Sequence, residues 1–300
     1  MVPALSTKVL LPQRLTPALL KTLAGSGVRV LELFAARFHL DYTNRTQMRE
    51  IAAWFQANDV AARLHAPVTA DVAFSRHAAP NLNLVDAGKQ NRIAAMEEIK
   101  RALECAEYIA IPTCVLHLGL AGSQSAGSQT AWSEYVLEYA LTAIEHLNAF
   151  AAPLGVRLLL ENLPNDVATP AHLLEILRVG HFDRCGLCFD IGHAHLSDEG
   201  VAKTFEEMRS KVGEVHLHDN DGVSLGMRDD AHRWPATGTE RPAKVSKGTI
   251  DWESAYTMLQ QLPADVAGVL EIADHQVDSA AMAARLASEV ISEQRRKAGE

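Results

Sequence analysis

The chain has 300 residues, 48% of them hydrophobic and 22% charged, which is typical of a soluble globular protein. No apolar run of about 18 residues is present, and no basic start is followed by a long apolar stretch, so the sequence predicts neither a membrane span nor a signal peptide. We therefore expect a cytoplasmic protein, and the formal net charge of −9 argues against broad nucleic-acid binding.

Eight short β-like runs alternate with amphipathic helical stretches. The runs are TKVLL (7–11), VRVLELF (28–34), AARLHA (61–66), CVLHLG (114–119), VRLLLEN (156–162), GLCFD (186–190), EVHLHD (214–219) and GVLEIAD (268–274). The helical stretches are 17–27, 48–59, 92–110, 131–155, 172–180, 252–262 and 281–297. This alternation predicts a closed (β/α)8 TIM barrel over residues 1–300 as a single domain. An open doubly wound sheet is the alternative, but it would more often show a glycine-rich phosphate fingerprint, which is absent.

Residues 220–250 form the longest stretch without periodicity and are predicted to make a long loop over the barrel mouth. The loop carries the basic residues Arg228, Arg233, Arg241, Lys244 and Lys247. The four cysteines are too few for a disulfide framework in a chain this long, and we interpret them, including the C-x-x-C pair, as buried thiols. They are Cys105, Cys114, Cys185 and Cys188.

Acidic and imidazole side chains stand at or near the ends of most predicted strands, where a barrel carries its active site. They are His65, His117, Glu161, Asp190, His216 and Glu271, with His193, Asp230 and His232 in the following loops. Any one of them has a structural explanation, such as a satisfied histidine or a helix cap. A ring of unpaired acidic and imidazole groups would be poorly solvated, whereas a divalent metal takes both as ligands. The pattern therefore favours a metal site.

The motifs ENLP, FDIGHAH, VHLHDNDG, DAH, KGTIDW and LEIAD, in this order, resemble the xylose isomerase-like superfamily of TIM barrels. That superfamily includes sugar isomerases and epimerases and the apurinic-site endonucleases of the endonuclease IV type, and the resemblance covers nearly the whole chain. The epimerase branch implies one divalent ion (zinc, manganese, magnesium or cobalt) on Glu161, Asp190, His216 and Glu271. The endonuclease branch implies up to three zinc ions, with further ligands at His65, His117, His193, Asp230 and His232.

Other residues of these motifs receive supporting roles. The resemblance implies a substrate contact for His193, whereas His218 is either a substrate contact or support for the site, with a purely structural role as the alternative. We expect Asp219 and Asn220 to orient the histidines or close the turn. Glu32 matches a family position near the mouth, with an interior salt bridge as the alternative. Arg228 and Arg233 are predicted to bind substrate.

The resemblance implies a metal-dependent sugar or sugar-phosphate isomerase/epimerase that moves a proton through an enediolate, with Glu161 and Glu271 as catalytic residues. The alternative is an endonuclease IV-like phosphodiesterase with a three-metal site. The basic residues near the predicted mouth are confined to one loop, which favours a small-molecule sugar over nucleic acid. A non-catalytic metal-binding protein would leave both glutamates without a role. The apolar stretch 131–155 is compatible with a homo-oligomer.

Overall fold

Eight parallel strands close into a barrel in the computed structural model, which describes residues 1–75, 77, 80–119, 131–224, 227–228, 230–235 and 248–298. The barrel strands are β1 (Val2–Ser6), β2 (Val30–Phe34), β3 (Ala61–His65), β4 (Thr113–Leu116), β5 (Arg157–Glu161), β6 (Gly186–Asp190), β7 (Val212–Leu217) and β10 (Ala267–Leu270). Their order around the barrel is β1-β10-β7-β6-β5-β4-β3-β2. The predicted (β/α)8 fold is confirmed.

Helices cover the outside of this barrel. They are α1 (Pro17–Ala24), α2 (Arg45–Ala57), α3 (Lys89–Leu103), α4 (Glu134–Ala151), α5 (Pro170–Val179), α6 (Ile191–His195), α7 (Gly200–Met208), α8 (Trp252–Leu259) and α9 (Ala280–Ala298). Thr16 and Thr169 cap α1 and α5 with their side chains, and each is followed by the proline that suits a first helical turn. Among the helices described, none combines the length and apolarity needed to cross a membrane.

The first strand lies earlier than predicted. Residues 7–11 were expected to be a strand, but Thr7–Leu10 form a 3-10 helix whose first turn is capped by the Ser6 side chain. Barrel closure explains the difference, because Val2–Leu5 pair with β10 and Ala4–Ser6 pair with β2. Lys8 is thereby placed beyond the carboxyl end of β1, at the mouth of the barrel, rather than inside a strand.

The main apolar core lies between the strands and the helices, whereas part of the barrel interior is charged. Glu214 on β7 is buried and accepts hydrogen bonds from Arg63 Nη1 at 2.9 Å and from Thr113 Oγ1 at 3.2 Å. The pairing satisfies a carboxylate that would otherwise be costly to bury. All four cysteines are free and buried, as the sequence predicts.

The loop 220–250 is described only in part. Within it, β8 (Val223–Ser224) pairs antiparallel with β9 (Met227–Arg228). Arg241, Lys244, Lys247 and the side chain of Arg228 lie outside the described residues. A lid over the mouth therefore stays a prediction for this segment.

Asp219 anchors both ends of the described loop. Its backbone exchanges two hydrogen bonds with Arg233, at 2.8 and 2.9 Å. Its buried carboxylate accepts hydrogen bonds from Ile250 N at 3.2 Å and from Trp252 Nε1 at 3.0 Å. The predicted turn-closing role of Asp219 corresponds to these contacts.

Replacing Asp219 with alanine should lower the free energy of unfolding by about 2–4 kcal/mol, because the Ile250 and Trp252 N–H groups lose a charged acceptor in a buried site. Denaturant unfolding followed by fluorescence measures the change. The exposed Asp265→Ala variant is the matched control and should stay within about 0.5 kcal/mol of the wild type. Equal stability of the two variants would contradict the anchoring role.

Candidate metal centre

Four side chains from four strands meet at the centre of the barrel mouth. Glu161 ends β5, Asp190 ends β6, His216 lies in β7, and Glu271 follows β10. Each offers a ligand atom, and these atoms all lie within 4.8 Å of one another. His216 Nδ1 is 3.4 Å from Glu161 Oε1, 3.7 Å from Asp190 Oδ2 and 3.7 Å from Glu271 Oε2. The structure thus brings together the four residues that the resemblance implies as ligands.

A second group lies beside the first. It comprises His193, His218, Asp230 and His232. The Asp230 carboxylate is 3.0 Å from His193 Nε2 and 2.8 Å from His232 Nε2. His218 stacks on His232 with ring centroids 3.8 Å apart and contacts Asp190 through Nε2 at 3.0 Å. A third group consists of His65, Glu161 and His216, and it shares its last two residues with the central four.

Glu161 links the groups, because it also contacts His117, the one predicted ligand that belongs to none of them. His117 Nε2 is 2.9 Å from Glu161 Oε2, and His65 Nε2 is 3.5 Å from the same oxygen. All nine residues that the sequence predicts as metal ligands therefore lie around one mouth.

Each of four histidines has one ring nitrogen bound to an acceptor on its outer side. His65 Nδ1 donates to the carbonyl of Ala66, His193 Nδ1 to that of Asn162, and His232 Nδ1 to that of Glu271. His216 Nε2 donates to the Glu32 carboxylate at 3.0 Å. The second nitrogen of His65 and of His216 then faces Glu161, and that of His193 and of His232 faces Asp230. Outer hydrogen bonds of this kind set the orientation of metal-binding histidines.

The lack of hydrogen-bond partners for several buried polar atoms is a second observation that fits a bound metal. Among the described residues, several buried atoms that face the groups make no hydrogen bond, although buried polar atoms usually have a partner. These atoms are His65 Nε2, Glu161 Oε1, His216 Nδ1, His218 Nδ1 and Asp230 Oδ1. Imidazole nitrogen with carboxylate oxygen is a donor set suited to zinc, manganese or cobalt.

The protonation preferences show that the site attracts positive charge. Burial would raise the pKa of Glu161, but the adjacent His117 and His216 imidazoles outweigh it and hold this pKa well below its usual range. Burial would lower the pKa of His232, but Asp230 and other neighbours raise it to about 9. Burial likewise opposes the charge on Lys8, yet Glu271 and Asp230 leave its pKa raised.

His232 adopts a backbone conformation that is unfavourable for a residue with a side chain, with φ at +40°. Left-handed backbone at such a residue costs about 1–2 kcal/mol and tends to occur at functional sites. Here it allows Nδ1 to reach the Glu271 carbonyl while Nε2 faces Asp230. The conformation thus places His232 between Asp230 of the same loop and Glu271, which follows β10.

A cavity of about 250 Å³ opens above the groups. Its polar side includes His65, His117, His193, Asp230, His232, Glu271 and Lys8, and its apolar side includes Leu11, Phe34, Phe38, Val68, Phe74 and Pro80. Sequence reasoning missed Lys8, which it had assigned to a strand, and also missed the apolar side. Phe38, Val68, Phe74 and Pro80 come from loops, where no periodicity marks them.

The predicted substrate-binding residues are placed differently from one another. His193 lines the cavity, whereas His218 is fully buried beneath it. Arg233 pairs with Asp221 at 2.5 Å and is not among the residues that line the cavity. Glu32 is buried against His216. It therefore makes an interior contact, as one prediction for this residue states, and the contact is to a residue of the central group, close to the mouth that the other prediction names.

Comparison with known proteins identifies the family of this chain. A sequence profile described as "xylose isomerase-like TIM barrel" matches residues 20–294. The chain belongs to this family. An uncharacterized protein of Methanocaldococcus jannaschii is 26% identical over 298 residues, a match that covers 95% of this chain and 88% of the relative.

Solved structures of the family superimpose over nearly the full chain. A D-tagatose 3-epimerase-like protein is 21% identical with a TM-score of 0.70 and covers 99% of this chain and 97% of its own. The IOLI protein "with a binding zinc atom" is 18% identical with a TM-score of 0.77 and covers 99% of both chains. D-psicose 3-epimerase from Clostridium cellulolyticum H10, solved with D-tagatose, is 13% identical with a TM-score of 0.72 and covers 99% of both. At these identities the similarity establishes the fold.

Gly192 at the start of α6 permits the second group to form. A Cβ atom at this position would lie 2.0 Å from the His218 ring. Gly192→Ala should therefore displace His218, lower the free energy of unfolding by about 1–3 kcal/mol and reduce the bound metal measured by elemental analysis. Gly119→Ala is the control, because its Cβ would meet no atom closer than 3.8 Å. Unchanged metal content and stability in Gly192→Ala would contradict this packing argument.

Proposed function

We propose that the protein is a metal-dependent isomerase or epimerase of a small sugar or sugar phosphate. The observation that carries the proposal is the placement of Glu161 and Glu271, two buried carboxylates that lie 3.4 and 3.7 Å from His216 Nδ1, beside a cavity of small-molecule size. Two carboxylates around one substrate carbon are what proton removal and proton return require. The names of the structural neighbours, several of them sugar 3-epimerases, support the same reaction class.

Glu161, Asp190, His216 and Glu271 would hold a divalent ion, which supplies Lewis-acid polarisation of a substrate carbonyl when bound. One of Glu161 and Glu271 takes the proton from the carbon beside that carbonyl, and the C–H electron pair forms the double bond of an enediolate. The other glutamate returns a proton to the opposite face. Phe34, Phe38 and Phe74 shield the reacting carbon from bulk water.

If Glu161 and Glu271 transfer protons on opposite faces of the substrate, replacing each one should impair a different half of the proton exchange. In deuterated water, the wild type should incorporate deuterium next to the carbonyl of its ketose substrate, tested with a panel of ketoses and ketose phosphates. Glu161→Gln and Glu271→Gln should each lose epimer interconversion by about 10²-fold or more. Each should retain exchange only from the epimer whose proton faces the remaining glutamate.

Exposed Glu145→Gln is the matched control and should behave as the wild type. Metal content is measured in every variant, so that loss of the ion is distinguished from loss of a proton-transfer group. Full interconversion by a metal-loaded Glu161→Gln variant would remove Glu161 from proton transfer.

A second candidate function has its own supporting observation. The nine ligands, with Glu161 shared between groups, match the set that the resemblance implies for a three-metal phosphodiesterase of the endonuclease IV type. Against it, the chain has 37 acidic and 28 basic residues, and Lys8 is the one Lys or Arg among the described residues that line the cavity. Phosphate-backbone binding relies on many such cations.

Metal stoichiometry and DNA cleavage distinguish the two functions. We expect one tightly bound ion per chain by elemental analysis and no cleavage of a duplex that contains an abasic site at physiological salt. Three ions together with strand cleavage at the abasic site would support the phosphodiesterase and overturn the isomerase proposal.

A further inference from the structure

Lys8 enters the cavity beside one of the proposed proton-transfer groups. Its Nζ lies 3.1 Å from Glu271 Oε1, and its side chain is 20% exposed. The ammonium also lies 5.7 Å from the centroid of the Phe34 ring, on the cavity wall. The 3-10 helix after β1 directs this residue to the mouth.

The ammonium has hydrogen-bonding capacity beyond Glu271. A lysine ammonium carries three N–H donors. Besides Glu271, the polar side-chain atoms near Lys8 Nζ in the described part of the chain are the two ring nitrogens of His232, at 3.2 and 3.3 Å. Those nitrogens are already engaged, because Nδ1 donates to the Glu271 carbonyl and Nε2 faces Asp230 at 2.8 Å. Lys8 therefore lies beside the ring and keeps an N–H group for a molecule in the cavity.

The surroundings make that N–H group effective. The neighbouring wall of the cavity is apolar, with Leu11, Phe34 and Phe38 close to the mouth. A cation in water-poor surroundings interacts more strongly with a developing negative charge than it would in water. Compensation of the Glu271 charge alone would not require Lys8 to line the cavity.

We propose that Lys8 is a catalytic residue whose ammonium donates a hydrogen bond to the substrate carbonyl oxygen as that oxygen becomes an enediolate oxygen. The inference rests on the proposed function. Glu271 exchanges a proton with the adjacent carbon: the C–H bond breaks, its electron pair forms the C=C bond, and the carbonyl π pair moves to oxygen. Lys8 transfers no proton. The 3.1 Å separation between Lys8 and Glu271 lets the two groups reach adjacent atoms of one substrate.

The test compares Lys8→Met and Lys8→Arg with Lys21→Met, an exposed lysine of α1. Steady-state interconversion gives kcat and KM. Calorimetry on the metal-loaded proteins gives the affinity for glycolohydroxamate, a planar enediolate analogue. Elemental analysis gives the metal content. Lys8→Met should lose about 10²-fold in kcat with a smaller change in KM, and should bind the hydroxamate at least about tenfold more weakly. Lys8→Arg should recover part of both, and Lys21→Met should match the wild type.

Wild-type hydroxamate affinity in Lys8→Met overturns the proposal, whether or not the protein turns over a ketose. Loss of bound metal in Lys8→Met, with kcat per bound ion unchanged, also overturns it, because Lys8 would then act in metal assembly. Absence of ketose exchange by the wild type would refute the proposed function, while the hydroxamate comparison would still decide whether Lys8 binds an oxyanion. If Lys8→Met does not fold, Lys8→Gln replaces it in the same measurements.

Discussion

The burial of carboxylates at the barrel mouth is the constraint on which the rest of the site depends. Glu161, Asp190 and Glu271 are at most 1% exposed. An isolated buried carboxylate costs several kcal/mol, so each of these must face a positive charge. The fold supplies imidazoles and Lys8 on every side, and the pKa values of Glu161 and Glu271 are held low as a result. The same demand for positive charge makes the site suitable for a divalent ion.

This constraint extends below the mouth. Glu32 is bound to His216, and the Arg63–Glu214 pair lies deeper in the interior, with ligand atoms of Glu32, Glu214 and His216 within 4.8 Å of one another. A barrel interior is more often filled with branched apolar side chains. Here the interior supports the orientation of His216, and the stability of the barrel comes mainly from the apolar layer under the helices.

The sequence was sufficient for the barrel because buried strands leave local signals, whereas the ligand set follows from the family resemblance and stays a prediction. Buried parallel strands are continuous apolar runs, and a charged residue at the end of such a run, as at Glu161 or Asp190, marks the mouth. The first strand was misplaced because Val2–Ser6 and Thr7–Leu10 both mix apolar and polar residues, and only distant pairing with β10 and β2 distinguishes them. Lys8 was missed for that reason. The buried position of His218 depends on its contact with Gly192, which is equally non-local.

Lys8 also bears on the number of ions. It lies 3.2 Å from a ring nitrogen of His232, a member of the second ligand group, and 3.1 Å from Glu271, a member of the first. A cation bound by His193, Asp230 and His232 would be repelled by this ammonium, and the repulsion is strong where water is scarce. The same ammonium neutralises part of the charge of Glu271 without occupying the face of His216 that is turned to Glu161 and Asp190. Because the ammonium is equally close to Glu271, it opposes cation binding at both groups, and the single ion proposed for the central four residues places less positive charge around Lys8 than three ions would.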